Sequence, residues 1–349
     1  MPKSMNKPVV VIPNWDGEAG LAACIDSVRG GSLVPHLIVV DNGSSDGSVA
    51  LVQNNYPDVE LIQHEKNLGY TGGVNPGYRR AIELGATYVA PFNNDAVADK
   101  HWLESLVTYL GKHPEVGVAS CKVVSADGSH IDTTGDSYTT WGLPCPRGRG
   151  EADNGQYDSP AQHQIFSASG AASLYRVSML KKIGLLDQDF FAYYEDVDLS
   201  FRAQLAGYKI HYVPSSVIYH ETGSTGGRIK GFLTYQTMKN LPMLLVKNVP
   251  SHLLPIVLPR FALVYCSFFV SALQRGQFGY ALKGAFRSLG YTPDKLRQRR
   301  AIQRSRTVSD DYIRSLLLWD LPPNARRLRA LRAHWWRLTG KLAGKAGKS

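Results

Sequence analysis

The sequence predicts an α/β fold with a Rossmann-like, mainly parallel central sheet. In the first third of the chain, short runs rich in β-branched residues alternate with helical patterns, and few residues separate them. Such alternation is typical of right-handed βαβ units, whose strands lie parallel. The predicted strands are 9–12, 36–40, 59–63 and 87–92. The predicted helices are 17–29, 46–54, 71–84 and 100–112.

Residues 124–163 interrupt this alternation with a stretch rich in Gly, Pro, Ser, Asp and Thr. A long irregular stretch inside a compact domain is commonly a functional loop, so we expect an ordered loop here rather than a disordered insert. Regular structure is predicted to resume over residues 165–176. After it we expect helices at 177–183 and 198–206, a helix C-cap at Gly207, and strands at 209–213 and 217–220.

The last third of the chain has a different composition, which predicts a domain over residues 1–230 and a helical region over 231–349. Residues 241–273 are very apolar but contain four prolines, and the longest uncharged run, 261–274, is shorter than the ~20 residues that cross a bilayer. Residues 275–349 hold 18 Lys and Arg against 4 Asp and Glu. Such an excess indicates an anionic partner, either a membrane or a nucleic acid.

Cysteine spacing and the N-terminus indicate the compartment. The four cysteines lie far apart without a C-x-x-C pair, which argues against a zinc site or a disulfide framework and fits a reducing cytosol. Residues 1–7 lack the apolar core of a signal peptide. We therefore expect a cytosolic protein.

Polar residues follow several predicted strands, where ligands bind in open parallel sheets. Asp41 ends the second strand and could accept hydrogen bonds from a base or a ribose, although it could also only shape a turn. The glycine-rich segment 67–78 enters a helix, and free N–H groups there suit a phosphate. This segment does not match the G-x-G-x-x-G fingerprint of dinucleotide-binding proteins. The lack of that fingerprint disfavours a nicotinamide dehydrogenase.

Acidic residues at two further positions suggest catalytic chemistry. Asp95 ends the fourth strand and is a plausible ligand for Mg²⁺ or Mn²⁺. Glu195, Asp196 and Asp198 lie within four residues beside five aromatic residues, a setting that raises a carboxyl pKa and suits a general base. A helix start rich in capping acids explains only part of this cluster. His220 ends the last strand; alone, it would more often be structural than a ligand.

In this order, these segments closely resemble the family 2 glycosyltransferases of the GT-A fold, particularly the rhamnosyltransferase-like branch of cell-wall and O-antigen assembly. The resemblance covers about residues 8–230, and it lies in the whole series rather than in any single segment. The segments are VVIPNWDG, IVVDNGSSDGS, NLGYTGGVNPGY, FNND, SGAASLYR and GLLDQDFFAYYEDVDLSFRAQLAGYKIHYVPSSVIYH.

The resemblance implies a role for each segment. The catalytic base is Asp196, beside Glu195, and the metal ligands are Asp95 and His220, although Asn93 stands where the family's D-x-D motif has its first acid. Asp198 and Trp141 are implied on the acceptor side, with Asp198 otherwise capping a helix. The implied nucleotide-binding residues are Pro13, Asn14, Asp41, Asn67, Gly69 and Asn94.

The implied function is an inverting, Mg²⁺- or Mn²⁺-dependent glycosyltransferase with a nucleoside-diphosphate sugar donor, first of all dTDP-rhamnose. A UDP-sugar (galactofuranose, glucose or N-acetylglucosamine) is the alternative donor. The implied acceptor is a glycan or lipid-linked hydroxyl in cell-wall, O-antigen or capsule assembly. A non-catalytic nucleotide-sugar or glycan-binding module is the rival class, favoured only by Asn93. A nucleotidyltransferase is disfavoured because no Gly-rich loop with Arg and Lys follows the first strand.

The resemblance also gives the basic C-terminal region an interpretation. Residues 326–337, with the apolar region before them, resemble an interfacial anchor for an anionic membrane. The alternative is a solvated basic helix that packs on its own domain or on a second subunit in a homo-oligomer. Nucleic acid is not an expected partner, since no recognised binding module accompanies the basic residues. We therefore expect peripheral association with the inner face of the cell membrane.

Overall fold

The computed structural model describes residues 7–221 and 229–320. Its first part alternates strands and helices as predicted. This part comprises β1 (Val9–Asn14), α1 (Glu18–Arg29), β2 (His36–Asp41), α2 (Ser48–Asn55), β3 (Glu60–Gln63), α3 (Gly69–Glu83), β4 (Tyr88–Pro91), β5 (Ala96–Ala98) and α4 (Trp102–Lys112). The next part comprises β6 (Val116–Ser125), β7 (Ile131–Thr133), β8 (Asp136–Thr139), β9 (Pro144–Pro146), β10 (Leu174–Arg176), α5 (Val177–Ile183), α6 (Glu195–Leu205) and β11 (Lys209–His220).

The central sheet has the strand order β3-β2-β1-β4-β10-β6-β11-β5, with β7 paired to β6. Strands β1 to β4 form a parallel half, as the alternation predicts. The other half is mixed, because β10 runs antiparallel to both β4 and β6 while β11 runs parallel to β6. The side chains of residues 9–12 are wholly buried, since helices cover both faces of this half of the sheet.

Three predictions about element boundaries were wrong. The strands predicted at 209–213 and 217–220 are one strand, β11, with an irregularity between Val213 and Val217. Helix α6 begins at Glu195 rather than at residue 198, because Tyr194 adopts the left-handed conformation at its N-cap and all three acids lie in the first turn. Acids in a first turn are favoured by the helix dipole. The strand within residues 165–176 covers only Leu174–Arg176. Ala206 is the C-cap of α6, and Gly207 follows it with a φ of +86°, so the predicted glycine lies one position beyond the cap.

Residues 124–163 are ordered, as expected. They contain β7, β8 and β9, and β8 joins β9 and a later strand, β12 (Leu317–Leu318), in a three-stranded sheet. The buried ammonium of Lys122 donates to Asp153 at 2.7 Å and to Asp158 at 3.4 Å, which ties the irregular part to β6. Two backbone hydrogen bonds between Asp136 and Ser167 fix β8 beside the segment that precedes β10.

In the part of the chain that the structure describes, four α-helices follow the central sheet: α7 (Phe232–Asn248), α8 (Leu254–Gln274), α9 (Phe278–Arg304) and α10 (Asp310–Leu316). Their apolar side chains share one core cluster with side chains of α6, such as Val197 and Phe201. These helices therefore pack directly on the part of the chain that carries the acidic cluster. The basic run at residues 326–337, predicted as an interfacial anchor, lies outside the described residues.

The length of α8 corrects one expectation. Its helix continues through Pro259 and Arg260 instead of ending at them, so the apolar segment extends well beyond the predicted 261–274. Among the described residues, one helical segment is sufficiently long and apolar to cross a membrane, judged by length and composition alone: Ser251–Gln274. Only 22% of its most apolar stretch is buried inside the protein.

Candidate active site

Polar side chains meet where β1, β2 and β4 end. Asn14 Nδ2 donates to Asp41 Oδ1 at 3.3 Å, and Asn94 Nδ2 donates to Asn14 Oδ1 at 2.8 Å. The N–H of Ser44 donates to the other oxygen of Asp41 at 3.1 Å. Because these strands are parallel, their carboxyl ends share one edge, where open α/β sheets bind ligands. Three of the predicted nucleotide-binding residues therefore lie together at that edge.

The N-terminus of α3 lies beside this network. Asn67 Oδ1 accepts from the N–H of Gly69 at 2.8 Å and from Asn42 Nδ2 at 3.1 Å. Gly69 has a φ of +76°, and a Cβ there would lie 2.4 Å from the carbonyl oxygen of Phe191, so only glycine fits. Pro13, the second-last residue of β1, lies so close to α3 that a Cβ on Gly73 would be 2.9 Å from the Pro13 Cβ. Helix α3 thus packs tightly against the strand ends.

His220 lies between two carboxylates. Its Nε2 is 3.1 Å from Asp95 Oδ1, and its Nδ1 is 3.5 Å from Asp132 Oδ2. Burial lowers the pKa of His220, but its hydrogen bonds to Asp132 and Asp95 and their negative charges outweigh burial and raise that pKa to about 9. The two predicted metal ligands are therefore neighbours.

This pair could bind a divalent cation only after His220 loses a ring proton, because metals bind the neutral imidazole. With a pKa of about 9, the ring of His220 is protonated at neutral pH. The 3.1 Å between its Nε2 and Asp95 Oδ1 is the length of a charged hydrogen bond, which a bound cation would replace. Asn93 Oδ1 is buried and has no hydrogen-bond partner within residues 7–221 and 229–320, and Asn93 Nδ2 lies 3.2 Å from His220 Nε2. Amide oxygens are ligands that such cations accept.

The protein offers few charged ligands for this cation. Across residues 7–221 and 229–320, no group of three or more His, Cys, Asp and Glu side chains could hold a metal ion. This matches the loss of the first acid of the D-x-D motif to Asn93. Further ligands for a cation here would have to be oxygens of a bound diphosphate or of water.

Asp196 lies in the first turn of α6, with both oxygens oriented by backbone donors. The N–H of Gly170 donates to Oδ2 at 2.9 Å, and the N–H of Val197 donates to Oδ1 at 2.8 Å. Burial raises the pKa of Asp196, although these two hydrogen bonds act in the opposite direction. A carboxylate with a raised pKa and a fixed orientation suits proton abstraction.

Glu195 is the more strongly perturbed acid of the pair. Burial and then the negative charge of Asp196 raise its pKa to about 8, and its Oε2 has no hydrogen-bond partner among the described residues. With a pKa of about 8, Glu195 is mostly protonated at neutral pH. It therefore adds little negative charge beside Asp196.

Asp95 and Asp196 are more than a hundred residues apart in sequence, yet short contacts connect them. The N–H of Asn93 donates to the carbonyl of Ala171 at 2.9 Å, and the N–H of the preceding residue, Gly170, donates to Asp196. The hydroxyl of Tyr70 donates to the carbonyl of Gly170 at 2.5 Å. Burial raises the pKa of Tyr70, and the charges of Glu195, Asp196 and Asp95 all raise it further. The two predicted acids therefore face the same region.

Two aspartates from the irregular stretch were missed by the sequence analysis. Asp132 contacts His220, as described above. Asp136 lies close enough to Asp196 for the two carboxyl groups to interact electrostatically. Burial and then the charge of Asp196 raise the pKa of Asp136 to about 7. The strand-like Ile131–Thr133 and Asp136–Thr139 were the only sequence signals, and they did not indicate a partner.

The two residues predicted on the acceptor side differ in their surroundings. Asp198 is wholly buried, and its oxygens bind Arg202 at 2.9 Å, Lys247 at 2.9 Å and Asn248 at 2.8 Å. The acceptor role predicted for it is therefore wrong, because it forms a buried ion-pair cluster and reaches no open surface. Trp141 is partly buried and packs against the core that α6 shares with the C-terminal helices. Its acceptor role stays a prediction.

The sequence model of the family described as "Glycosyl transferase family 2" matches residues 9–184, half of the chain. The chain belongs to this family. The N-acetylglucosaminyl-diphospho-decaprenol L-rhamnosyltransferase of Mycobacterium tuberculosis is 29% identical over 208 residues, which cover 54% of this chain and 68% of that protein. The dTDP-rhamnosyl transferase RfbF of Shigella flexneri is 22% identical over 259 residues, covering 71% and 83%. This glycosyltransferase is thus of the rhamnosyltransferase-like type.

Solved structures share the fold. TarS 1-349 from S. aureus matches with a TM-score of 0.53 and 17% identity, covering 86% of this chain and 90% of that one. The mannosyltransferase PcManGT from Pyrobaculum calidifontis, solved with GDP-Man and Mn²⁺, matches with a TM-score of 0.51 and 16% identity, covering 87% and 88%. The glycosyltransferase therefore has the GT-A fold, with a helical C-terminal region.

Proposed function

We propose that this glycosyltransferase inverts the configuration of the sugar that it transfers from a nucleoside-diphosphate donor to an acceptor hydroxyl. The observation that carries the proposal is Asp196, a buried carboxylate with a raised pKa that two backbone N–H groups orient. It faces the region of Asp95, where a leaving diphosphate would lie. One base on the side opposite the leaving group suits a single displacement.

In the proposed reaction, Asp196 accepts the proton of the acceptor hydroxyl as that oxygen attacks the anomeric carbon. The new C–O bond forms on the face of the sugar opposite the diphosphate. The bond between the anomeric carbon and the diphosphate oxygen breaks, and that oxygen keeps the electron pair. One displacement inverts the configuration without a covalent sugar–enzyme intermediate, unlike a retaining glycosidase. The raised pKa of Glu195, about 8, keeps the neighbour of the proposed base mostly uncharged at neutral pH.

Asp95 and His220 would hold an Mg²⁺ or Mn²⁺ ion, with the amide oxygen of Asn93 close by. Such an ion supplies positive charge that neutralises the departing diphosphate. The presence of Mn²⁺ in the PcManGT structure supports this choice. Around the same edge of the sheet, Asp41, Asn14 and Asn94 would contact the nucleotide.

For the donor, we propose dTDP-rhamnose first. The support is that the relatives from M. tuberculosis and S. flexneri are both named as rhamnosyltransferases. UDP-sugars are the alternative, and TarS has been solved with UDP-GlcNAc. The acceptor would be a lipid-linked or polysaccharide hydroxyl in cell-wall, O-antigen or capsule assembly, as the name of the M. tuberculosis relative suggests.

Thermal unfolding with a panel of nucleoside diphosphates and their sugars, with and without Mn²⁺, tests this choice. A ligand that binds only the folded form raises the melting temperature by mass action. dTDP-rhamnose with Mn²⁺ is expected to give the largest rise. A larger rise with a UDP-sugar would identify that sugar nucleotide as the donor instead. Binding of a sugar nucleotide without any transfer to an acceptor would favour a non-catalytic sugar-binding module.

We also propose that the protein is cytoplasmic and associates peripherally with the inner face of the cell membrane through its C-terminal helices. Helix α9 exposes apolar side chains at helical spacing, and two exposed cations, Lys283 and Arg287, lie beside them. The exposed apolar residues of this stripe are Phe278, Leu282, Phe286 and Leu289. An apolar face bordered by cations suits an anionic bilayer surface. Exposed Leu263, Val270 and Leu273 extend the apolar surface onto α8.

A further inference from the structure

The backbone that leads into the catalytic acids has an unusual conformation. Phe191, Tyr193 and Tyr194 have φ values of +65°, +68° and +70°, which residues other than glycine rarely adopt. Phe191 is the centre of a γ-turn, closed by the N–H of Ala192 donating to the carbonyl of Phe190 at 2.8 Å. Such conformations persist only where the surroundings hold them.

Helix α7 supplies much of that support. Asn240 is wholly buried, and its Nδ2 lies 3.0 Å from the carbonyl oxygen of Phe190, 2.9 Å from that of Ala192 and 2.8 Å from that of Tyr193. The neighbouring Lys239 donates to the carbonyls of Asp189 at 2.8 Å and Phe190 at 3.2 Å. Two consecutive residues of α7 thus satisfy four carbonyls of the irregular segment.

Helix α9 holds the start of the same segment. Lys295 is wholly buried and donates to Asp187 at 2.6 Å and to Asp189 at 2.7 Å. Lys247 of α7 also binds Asp187, at 2.7 Å. Removing one partner from such a buried ion pair would leave an uncompensated charge, so these contacts strongly favour a single arrangement.

Helix α3 contacts this segment from another side. The N–H of Thr71 donates to the carbonyl of Phe191 at 3.2 Å, and Gly69 lies against the same carbonyl. The peptide of Phe191 is therefore held between the nucleotide-side helix α3 and the C-terminal helix α7. Glu195 and Asp196 follow this segment directly, so its backbone angles set the direction of their side chains.

We infer that the C-terminal helices are part of the catalytic apparatus: Asn240, Lys239 and Lys295 are positioning residues that hold residues 190–194 so that Asp196 is directed at the acceptor hydroxyl. The inference rests on the proposed function, because it takes Asp196 as the base. It gives α7 and α9 a second role besides association with a membrane. A displacement of the base by about 1 Å is enough to slow a reaction about 100-fold.

Asn240→Asp tests this role in the full chain, because the change keeps the shape of the side chain and replaces the donor with an acceptor facing three carbonyls. We expect kcat to fall about 100-fold. The dissociation constants of dTDP and UDP with Mn²⁺, measured by calorimetry, should change by less than about threefold, since the substitution leaves the strand ends intact. The acid limb of the kcat–pH profile should also move, because the surroundings of Asp196 change.

Thr234→Val is the matched control, since it removes a part-buried hydrogen bond of the same helix, to Gln277. The hydrogen bonds of Lys239 and Asn240 to residues 189–193 stay in place. The kcat of Thr234→Val should stay close to that of the wild type. If Asn240→Asp does not fold, Lys239→Met and Lys239→Arg replace it, and Arg should restore most of the kcat that Met removes.

The inference is overturned if Asn240→Asp retains the kcat and pH profile of the wild type. It is also overturned if kcat and nucleotide affinity fall together, in step with melting temperature and as much in Thr234→Val, because that pattern marks a general loss of structure. A wild-type protein that transfers no sugar from any donor would instead contradict the proposed function. The two failures are therefore distinguishable.

Discussion

The backbone N–H of Gly170 donates to Asp196 Oδ2 at 2.9 Å, a contact between residues 26 positions apart that orients a buried carboxylate. Gly170 lies two residues before Ala172, whose carbonyl accepts from the indole of the buried Trp102 at 3.1 Å. The donor is therefore fixed to the core of the domain. The direction of the proposed base depends on the sheet as well as on α6.

Gly170→Ala should disturb Asp196 while the protein stays folded. The added Cβ would lie 3.2 Å from Asp196 Oδ2 and 3.4 Å from its Cβ, so the carboxylate must shift by a few tenths of an ångström. We expect kcat to fall roughly 10-fold, because catalysis depends on placement at this scale. Steady-state kinetics measures the fall in kcat, and circular dichroism checks that the variant stays folded.

Gly111→Ala is the control for this substitution. Gly111 lies near the end of α4, and a Cβ there meets nothing within 4 Å. It should leave kcat unchanged and stabilise the fold by about 0.5–1 kcal/mol, because alanine favours a helix over glycine. Equal kinetics for the two variants would argue against crowding at Asp196.

Glu195→Gln should leave the acid limb of the pH dependence nearly in place. The base must be ionised, so kcat rises with pH through the pKa of Asp196. Burial and the charge of Asp196 raise the pKa of Glu195 to about 8, so Glu195 has no charge to lose on the acid side of neutrality. Because glutamine is uncharged as well, the acid limb of the kcat–pH profile is expected to stay within about half a pH unit of the wild type. A shift of more than about one unit to lower pH would mean that Glu195 is ionised beside Asp196.

The same substitution should change stability with pH. Burial and the charge of Asp196 raise the pKa of Glu195 from 4.5 to about 8, so the folded protein binds this proton more tightly than the unfolded chain. The resulting stability is present below pH 4.5 and is lost as pH rises through about 8. Because glutamine does not ionise, Glu195→Gln should melt about 2–5 °C above the wild type at pH 9, with a smaller difference at pH 5. Calorimetric scans at both pH values measure this.

Asp132→Asn should weaken binding of Mn²⁺ in the presence of a nucleoside diphosphate by about 10-fold, because Asp132 orients the ring of the proposed ligand His220. Titration calorimetry measures the affinity. Asp127→Asn, which removes the same charge from an exposed turn, should bind Mn²⁺ like the wild type. Matching affinities for all three proteins would mean that Asp132 does not support the metal site.

Much of this site follows from sequence because a parallel sheet brings strand ends to one edge. Asp41, Asp95 and His220 each end a strand or follow one closely, so their positions were predictable. Asp132 and Asp136 were not, since only tertiary contacts of an irregular stretch bring them near Asp95 and Asp196. Asp198 was misassigned because its partners Lys247 and Asn248 lie on a helix 50 residues away, which no local pattern connects to it.

Phe286→Ser with Leu289→Ser should reduce binding to vesicles of phosphatidylglycerol and phosphatidylcholine at least 10-fold, because both side chains are 66% exposed on the apolar stripe of α9. Co-sedimentation measures this. Val34→Ser, at an exposed apolar residue of the catalytic domain, is the control. If the double variant keeps its vesicle binding but loses a dimer in size-exclusion chromatography, the stripe is a subunit interface.

The transfer assay of Asp196→Asn with Mn²⁺ and a donor that stabilises the wild type tests the base assignment most directly. Asparagine keeps the shape of the side chain and its contact with Gly170 but cannot accept the hydroxyl proton. We expect kcat to fall about 100- to 10,000-fold, with nucleotide affinity little changed. Undiminished turnover in Asp196→Asn would contradict the proposed mechanism.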